Sequence, residues 1–475
     1  MKIVVFGHGK FYEHRKHLIP ESDEIIAFLD NDALKQASAA QGIPVLAPEQ
    51  LGALEYDSVV IMSVHAAQMR EQLSRLGVPS AQVLGWKEYL ALSPEAFPEE
   101  SRTYLGQLYR NKNRKKKVLI LSTYIDYTGA PMAAISACMA LEGRGYEAVL
   151  AAEGCDPVRG RELSEEGIRW ICLPSLPVLP ASVLEAIAQF DYCLVNTFVM
   201  GRAAAQLAGI LPTLWWLHEA SLWFEKTRRD DPLPKEAIPG RVSVRAVSEI
   251  PGRIFTSLYP DIRCGLLPYG LPDFCGMTPS ERNCCTDPCR STNGTRLVFA
   301  VIGTVEERKG QDIFIEAIRR MKYQDRADFM VVGQYNDTEY VRGVLADAAA
   351  YPNITFTGVL PRSRIHELFR DIDVLVCPSR EDPLPITVTE GFMNHKLCIV
   401  STGTGTAGLI HNGTDGFVFR SGNAEELAGL MDHIVQAPEQ CADIGDRGRE
   451  IYEDIFSMDS FADRLETAFR ESAEM

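Results

Sequence analysis

One stretch, Asp371 to Phe419, constrains this chain more than any other; it reads DIDVLVCPSREDPLPITVTEGFMNHKLCIVSTGTGTAGLIHNGTDGFVF. The apolar run Val374 to Cys377 ends in Pro-Ser, the pattern of a buried strand that feeds a loop. Pro383 and Pro385 cannot continue a strand, and Pro385 stands where a helix can begin. From Ile386 the pattern turns helical and reaches Glu390, and a second apolar run, Leu397 to Val400, predicts the next strand. A strand, loop, helix, strand unit presents free amides and a positive dipole end at its helix start, which suits a phosphate. Asp382 in the loop and Glu390 on the helix flank that anion site. As a bare pattern these two acids also fit a solvated loop and an ordinary helix-start charge.

The same alternation runs through the rest of the chain and divides it. Residues 1–92 hold KIVVFG, EIIAFLDND, IPVLAP and YDSVVIMS as strands, with AAQMREQLSRLG as a helix, and so predict a small parallel α/β domain. Residues 93–117 form a linker or short helix that becomes strongly basic over Arg110–Lys117. A second α/β series occupies residues 118–270. Residues 271–295 are polar and rich in Pro, Gly and Asn, and carry Cys275, Cys284, Cys285 and Cys289 at a spacing that matches no common zinc pair, so an interdomain insertion is expected. A third α/β series fills residues 296–475.

Several side chains fall where such folds do chemistry, at strand ends. Gly129 heads a helix after the strand VLILST, where backbone can approach a phosphate or a sugar. His218 follows the buried run TLWWL, at the carboxyl edge where ligands bind in open parallel sheets. Arg308 and Lys309 occupy a strand-to-helix turn; cations there neutralise a departing diphosphate, although as mere surface charges they would oppose the helix dipole. In residues 1–92, Gly7 and Gly9 make half of a dinucleotide fingerprint and Asp30 ends the second strand where a ribose-binding acid would sit. The third glycine is missing, and a tight turn explains the first two equally well.

The stretch around Asp382 and Glu390 resembles the donor-site signature of retaining glycosyltransferases of the GT-B fold, glycosyltransferase family four. That signature is a carboxylate, seven residues and a glutamate, followed by a strand and a Gly-rich segment like Thr402–Gly408. Glu381 competes for the first position, but the spacing favours Asp382. The resemblance covers residues 117–475 in order. It implies an α/β chain with two facing Rossmann-like domains, preceded here by the extra parallel α/β unit. It also implies transfer of a sugar from a nucleotide-sugar to a glycan, lipid-linked or small-molecule hydroxyl, with retention. In that scheme Lys309, Arg308 and the helix start at Ile386–Thr387 hold the diphosphate, with Gly129 near it. Glu390 bonds the ribose, Asp382 the sugar hydroxyls, and His218 a sugar hydroxyl near the reacting carbon. The family carries an arginine five residues before its lysine; Thr304 stands there in this chain, and Arg308 is the substitute. Residues 1–92 look like the small subdomain that helps hold a nucleotide-sugar in some sugar-modifying enzymes.

Composition narrows the remaining classes. A net charge of −16 over 475 residues argues against general nucleic-acid binding and against a uniformly membrane-adsorbing surface. Cysteines such as Cys172, Cys193, Cys377 and Cys398 lie in apolar strands, as small buried thiols in a reducing compartment do. No apolar run is long enough to span a membrane, so a cytoplasmic protein is expected. The sharper reading of Arg110–Lys117 is a basic rim that contacts an anionic membrane face. No divalent metal is expected. Asp371 and Asp373 lie at the amino end of their strand, and Asp30 and Asp32 lie outside the domain that carries Lys309. Two other readings fit the same pattern, a nucleotide-sugar epimerase and a non-catalytic nucleotide-sugar-binding protein.

Overall fold

The computed structural model describes residues 1–36, 39–40, 42–110, 115–230, 233, 238, 242–275, 296–441 and 443–475. Much of Arg110–Lys117 (residues 111–114) and most of the 271–295 segment (residues 276–295, with Cys284, Cys285 and Cys289) lie outside the described residues. The chain divides into two compact units: Met1–Trp216 with Ser221–Ser243 and Phe469–Met475, and Leu217–Ala220 with Val244–Ala468.

The first unit contains two runs of parallel strands. Strands β1 (Lys2–Phe6), β2 (Glu24–Leu29), β3 (Ala39–Ala40), β4 (Ile43–Leu46), β5 (Ser58–Ile61) and β6 (Val83–Gly85) form a six-stranded sheet in the order β3-β4-β2-β1-β5-β6. Only the short β3 runs antiparallel to its neighbour. Ile3, Val4, Val5 and Phe6 are all buried, so β1 is covered on both faces, as the strand of a parallel sheet must be. Residues Glu99–Arg110, read from sequence as linker or short helix, form a helix that buries Leu105 and Leu108; its Ser101 hydroxyl donates to the Cys172 carbonyl at 2.9 Å. Beyond it come β7 (Lys117–Leu121), β8 (Glu147–Ala152), β9 (Trp170–Cys172), β10 (Tyr192–Asn196) and β11 (Thr213–Leu217), hydrogen-bonded in the order β9-β8-β7-β10-β11.

In the second unit, Val244–Ala246 of β12 (Val242–Ala246) runs parallel to β13 (Cys264–Leu266). The main sheet of this unit is built from β14 (Leu297–Ile302), β15 (Ala327–Val332), β16 (Ile354–Gly358), β17 (Val374–Cys377), β18 (Leu397–Ser401) and β19 (Phe417–Phe419), in the order β16-β15-β14-β17-β18-β19. All neighbours are parallel, with Phe299 beside Val374 and Cys377 beside Val400. The helix Gln311–Arg320 shows why these segments pack. Ile313, Phe314, Ala317 and Ile318 share a buried face, while Arg319 and Arg320 point to solvent. The core joins Phe299, Phe314, Phe329, Ile399 and Leu427 from strands and helices.

The chain leaves β14 for β15 and β16 on one side, then returns to lay β17 beside β14. This reversal opens a crevice at the carboxyl ends of β14 and β17, the position where ligands collect in such sheets. No helix among the described residues is long and apolar enough to cross a membrane.

Candidate functional site

The two loops at that crevice carry Arg308, Lys309 and Asp382. Past β14 the chain makes a short turn, Glu307–Lys309, and enters the helix Gln311–Arg320 through Gly310. Gly310 has φ 72°, and a Cβ there would collide with the Pro378 carbonyl, so the turn requires glycine. This close approach lets the Arg380 amide donate to the Arg308 carbonyl at 2.8 Å. The Arg380 guanidinium reaches back further, to the Glu307 carbonyl at 2.7 Å and to both Asp312 oxygens at 2.8 and 2.5 Å. Burial raises the Asp312 carboxyl, but Arg380 and the Tyr340 hydroxyl, 2.8 Å away, outweigh it and hold it below the usual carboxylate range. Arg380 therefore fastens the cationic turn to the acidic loop. Sequence reading missed it, although a third basic residue two positions before Asp382 was visible.

Lys309 Nζ lies 2.6 Å from Asp382 Oδ2, and Arg308 lies 3.9 Å from the same oxygen. Arg308 also donates to the Glu381 carbonyl at 3.1 Å and pairs with Glu306 at 2.7 Å. Asp382 is thus joined to both cations. Its side chain is only 8% exposed, so Lys309 compensates a largely desolvated charge. Thr304, where the family arginine would stand, is exposed at the start of this turn.

The loop after β18 braces Asp382 from behind. The Asp382 amide donates to the Gly403 carbonyl and the Gly405 amide to the Asp382 carbonyl, both at 2.8 Å. The Ser248 hydroxyl donates to the Pro383 carbonyl. Next comes the helix Ile386–Met393, capped by Pro385, which has no side-chain acceptor for the amides of Ile386 and Thr387. Tyr269 fixes this helix start: its hydroxyl lies 3.0 Å from Thr389 Oγ1 and 3.2 Å from the Leu384 carbonyl. Glu390 stands one turn further on and is wholly buried.

His218 follows β11 directly, and its amide donates to the Glu219 carboxylate at 2.9 Å. Burial of the imidazole pulls its pKa down to about 3. The ring is therefore neutral near pH 7 and offers a neutral hydrogen bond. Because the folded pKa lies below the unfolded one, the unfolded chain binds the extra proton first, and stability falls as pH drops below about 6.5. Turnover by the folded protein should show no inflection near pH 6.5. A pH–rate profile between pH 8 and 5 checks this, and an acid limb that vanishes in His218→Gln would overturn it.

Gly129 begins the helix Gly129–Gly143 after β7, in the first unit. In the N-terminal sheet, Gly7 has φ 106°, and a Cβ there would sit 2.8 Å from the Met62 carbonyl. Gly9 precedes a four-residue helix. Asp30 uses both oxygens within its own turn, accepting from the Asp32 amide at 3.0 Å and from Lys35 at 2.9 Å. Asp373 precedes β17 and accepts from the Val298 amide at 2.8 Å, so it ties down the amino end of the sheet. Among the described residues, no three His, Cys, Asp or Glu side chains gather as metal ligands would.

Comparison with known proteins bears on this arrangement. Residues 290–451 match the family model described as glycosyl transferases group 1, and residues 1–84 match the one described as C2185-like, N-terminal. A putative glycosyltransferase of Bacillus subtilis, EpsD, is 28% identical over 143 residues, covering 30% of this chain and 37% of its own length. The alpha-D-kanosaminyltransferase of Streptomyces kanamyceticus is 21% identical over 177 residues, covering 37% and 46%. The matched stretches thus span less than half of these curated relatives. Among solved structures, Anabaena HepE in complex with UDP and glucose superposes with a TM-score of 0.60 at 17% identity, over 75% of this chain and 100% of its own. Sucrose-phosphate synthase from Thermosynechococcus elongatus gives 0.59 at 14%, over 76% and 100%. At these identities the structural likeness is one of fold.

Proposed function

We propose that the protein transfers a glycosyl group from a nucleotide-sugar to an acceptor hydroxyl, with retention at the anomeric carbon, a reading supported by the match of residues 290–451 to the glycosyl transferases group 1 model and by a fold like that of GT-B glycosyltransferases. The observation that carries this reading is the cluster of Lys309, Arg308 and Asp382 at the crevice where the sheet reverses. Lys309, Arg308 and the amides of Ile386 and Thr387 receive the diphosphate. Asp382 takes the sugar hydroxyls, Glu390 the ribose, and neutral His218 a hydroxyl near the anomeric carbon. The bond from the anomeric carbon to the phosphate oxygen breaks, and the acceptor oxygen bonds to that carbon on the same face. The acceptor proton passes to the departing phosphate oxygen. The acceptor is a glycan or a lipid-linked sugar, and the buried thiols Cys193, Cys377 and Cys398 suit a cytoplasmic setting.

Because HepE was solved with UDP and glucose, UDP-sugars are the first donors to test. A thermal-shift screen over nucleotide-sugars checks the proposal, since a ligand at a hundred times its Kd stabilises by about 2.7 kcal/mol. A chain that no nucleotide-sugar stabilises would refute it.

The two acids separate by assay. Glu390→Gln should weaken UDP itself, whereas Asp382→Asn should spare UDP and impair the intact sugar donor. If both variants lose only sugar recognition, the assignments are wrong. We also expect no need for a divalent metal, because Lys309, Arg308 and the helix start already supply positive potential to the leaving group. Turnover measured after exhaustive EDTA treatment should be unchanged; a rate that collapses and returns with magnesium or manganese overturns this.

A further inference from the structure

The helix start that offers its amides to the diphosphate is held from outside its own loop, by one oxygen. Tyr269 follows β13 and is buried, 2% exposed. Its hydroxyl donates to the Leu384 carbonyl at 3.2 Å, two residues before the helix Ile386–Met393. The same oxygen lies 3.0 Å from Thr389 Oγ1, one turn inside that helix. A hydroxyl has a single proton, so with that proton on Leu384 the Thr389 hydroxyl is the donor of the second bond. The first turn by itself is loosely closed: the Val388 and Thr389 amides both point to the Pro385 carbonyl, at 3.1 and 3.4 Å. Leu384 and Thr389 bracket Ile386 and Thr387, whose amides have no acceptor within the helix because of their place in its first turn. The tyrosine bridge therefore fixes the direction in which those two amides point.

Tyr269 is held in turn by the C-terminal part of the chain, all within the second unit. Gly270 lies so close to Phe461 that a Cβ on it would sit 2.6 Å from the Phe461 Cβ. The Leu271 amide donates to the Phe456 carbonyl and the Tyr452 hydroxyl to the Leu271 carbonyl, both at 2.8 Å. The Arg464 guanidinium donates to the Ile455 carbonyl and, at 3.4 Å, to the Pro268 carbonyl. The Tyr269 ring packs beside Phe456, with centroids 5.7 Å apart. Tyr452, Ile455 and Phe456 belong to one π-helical turn, Tyr452–Phe456. Such turns are rare and collect at functional sites. Here the Ile455 and Phe456 carbonyls of the turn are the ones that accept from Arg464 and Leu271.

We propose that Tyr269 is a positioning residue for the donor diphosphate, and that the clasp of residues 268–271 by the π turn and the C-terminal helix sets its place; this rests on the transferase reading above. Backbone amides attract an oxyanion along their N–H directions and, unlike Lys309 and Arg308, have no flexible side chain with which to follow a ligand. A helix start held on both flanks keeps them aimed before the ligand arrives, so the turn loses little freedom on binding. Tyr269 acts through Leu384 and Thr389 rather than on the ligand.

Calorimetric titration of the full chain with UDP, ADP and GDP, each compared with its nucleoside, tests this. The diphosphate that the wild type binds best should bind about five- to tenfold more weakly to Tyr269→Phe, the effect of one lost hydrogen bond. That variant keeps the ring, so the packing on Phe456 survives. The nucleoside should bind both proteins alike, because it has no diphosphate to meet the amides; a general defect of the fold would weaken the two ligands together. Thr389→Val breaks the other end of the same bridge, so Tyr269→Phe/Thr389→Val should lose about as much as Tyr269→Phe alone. Tyr452→Phe, which loosens the clasp, should weaken the diphosphate about threefold and again spare the nucleoside. Unchanged diphosphate affinity in Tyr269→Phe, or equal losses for diphosphate and nucleoside, overturns the proposal. Unchanged affinity in Tyr452→Phe overturns the clasp. If the wild type binds none of the three diphosphates, the donor reading itself has failed, so the two failures are distinguishable.

Discussion

Lys309→Ala is expected to weaken UDP binding by about ten- to a hundredfold, the loss of a charge-assisted hydrogen bond worth about 1.5–3 kcal/mol. The loss has two parts. Removing the ammonium takes away its attraction for the diphosphate. It also leaves Asp382, 8% exposed and 2.6 Å from the missing nitrogen, as an uncompensated negative charge beside an anionic ligand. The second part can be measured separately. In Lys309→Ala/Asp382→Asn the repulsion is gone, so UDP should regain some of its affinity while the intact donor does not. Arg308→Ala should cost less, because Glu306 and the Glu381 carbonyl already share that guanidinium. Calorimetric titration with UDP reads all three variants. Unchanged affinity in Lys309→Ala would place the diphosphate elsewhere.

Gly405→Ala is expected to destabilise the second unit by about 3 kcal/mol, the upper end of what overpacking a filled interior costs. A Cβ at this position would run into the Pro383 carbonyl and the Ser248 hydroxyl, which already bond to each other. The backbone must move apart, because neither the carbonyl nor the 405 amide, bonded to the Asp382 carbonyl at 2.8 Å, can swing away. The displaced atoms belong to the loop that aims Asp382, so donor recognition should fail along with stability. Gly408→Ala is the control, since a Cβ there meets nothing within 4 Å. Urea unfolding of the full chain compares the two. Equal midpoints for Gly405→Ala and the wild type would show that this loop is looser than the packing implies.

Much of this architecture is legible in the order of residues alone. Runs such as Leu297–Ile302 and Val374–Cys377 are short, apolar and bounded by Gly or Pro, while Gln311–Arg320 repeats its apolar positions at helical spacing. Those are local properties, set by backbone geometry and burial within a single element, so strand and helix alternation could be read directly. For the same reason Arg308, Lys309, Asp382 and His218 could be placed at the carboxyl ends of strands before any contact was known. Pro385 likewise marked the helix start at Ile386, because a proline fits there and not within a strand.

What sequence could not decide is which of those strand ends meet. Lys309 and Asp382 lie far apart in the chain and become partners only because β17 returns to pair with β14. Strand order is chosen by the packing of the whole sheet and its helices, and no local pattern encodes it. The same return creates the Arg380–Asp312 clamp and seats Tyr269 against Thr389. It also encloses Glu390, which sequence placed near an open helix start and which the structure buries completely. The ties of Lys87 and Glu88 to Glu153 and Arg202 are of this kind too. Each side chain by itself reads as an ordinary surface charge, and its partner is selected by how two sheets pack within the first unit, a property of their surfaces rather than of any stretch of sequence.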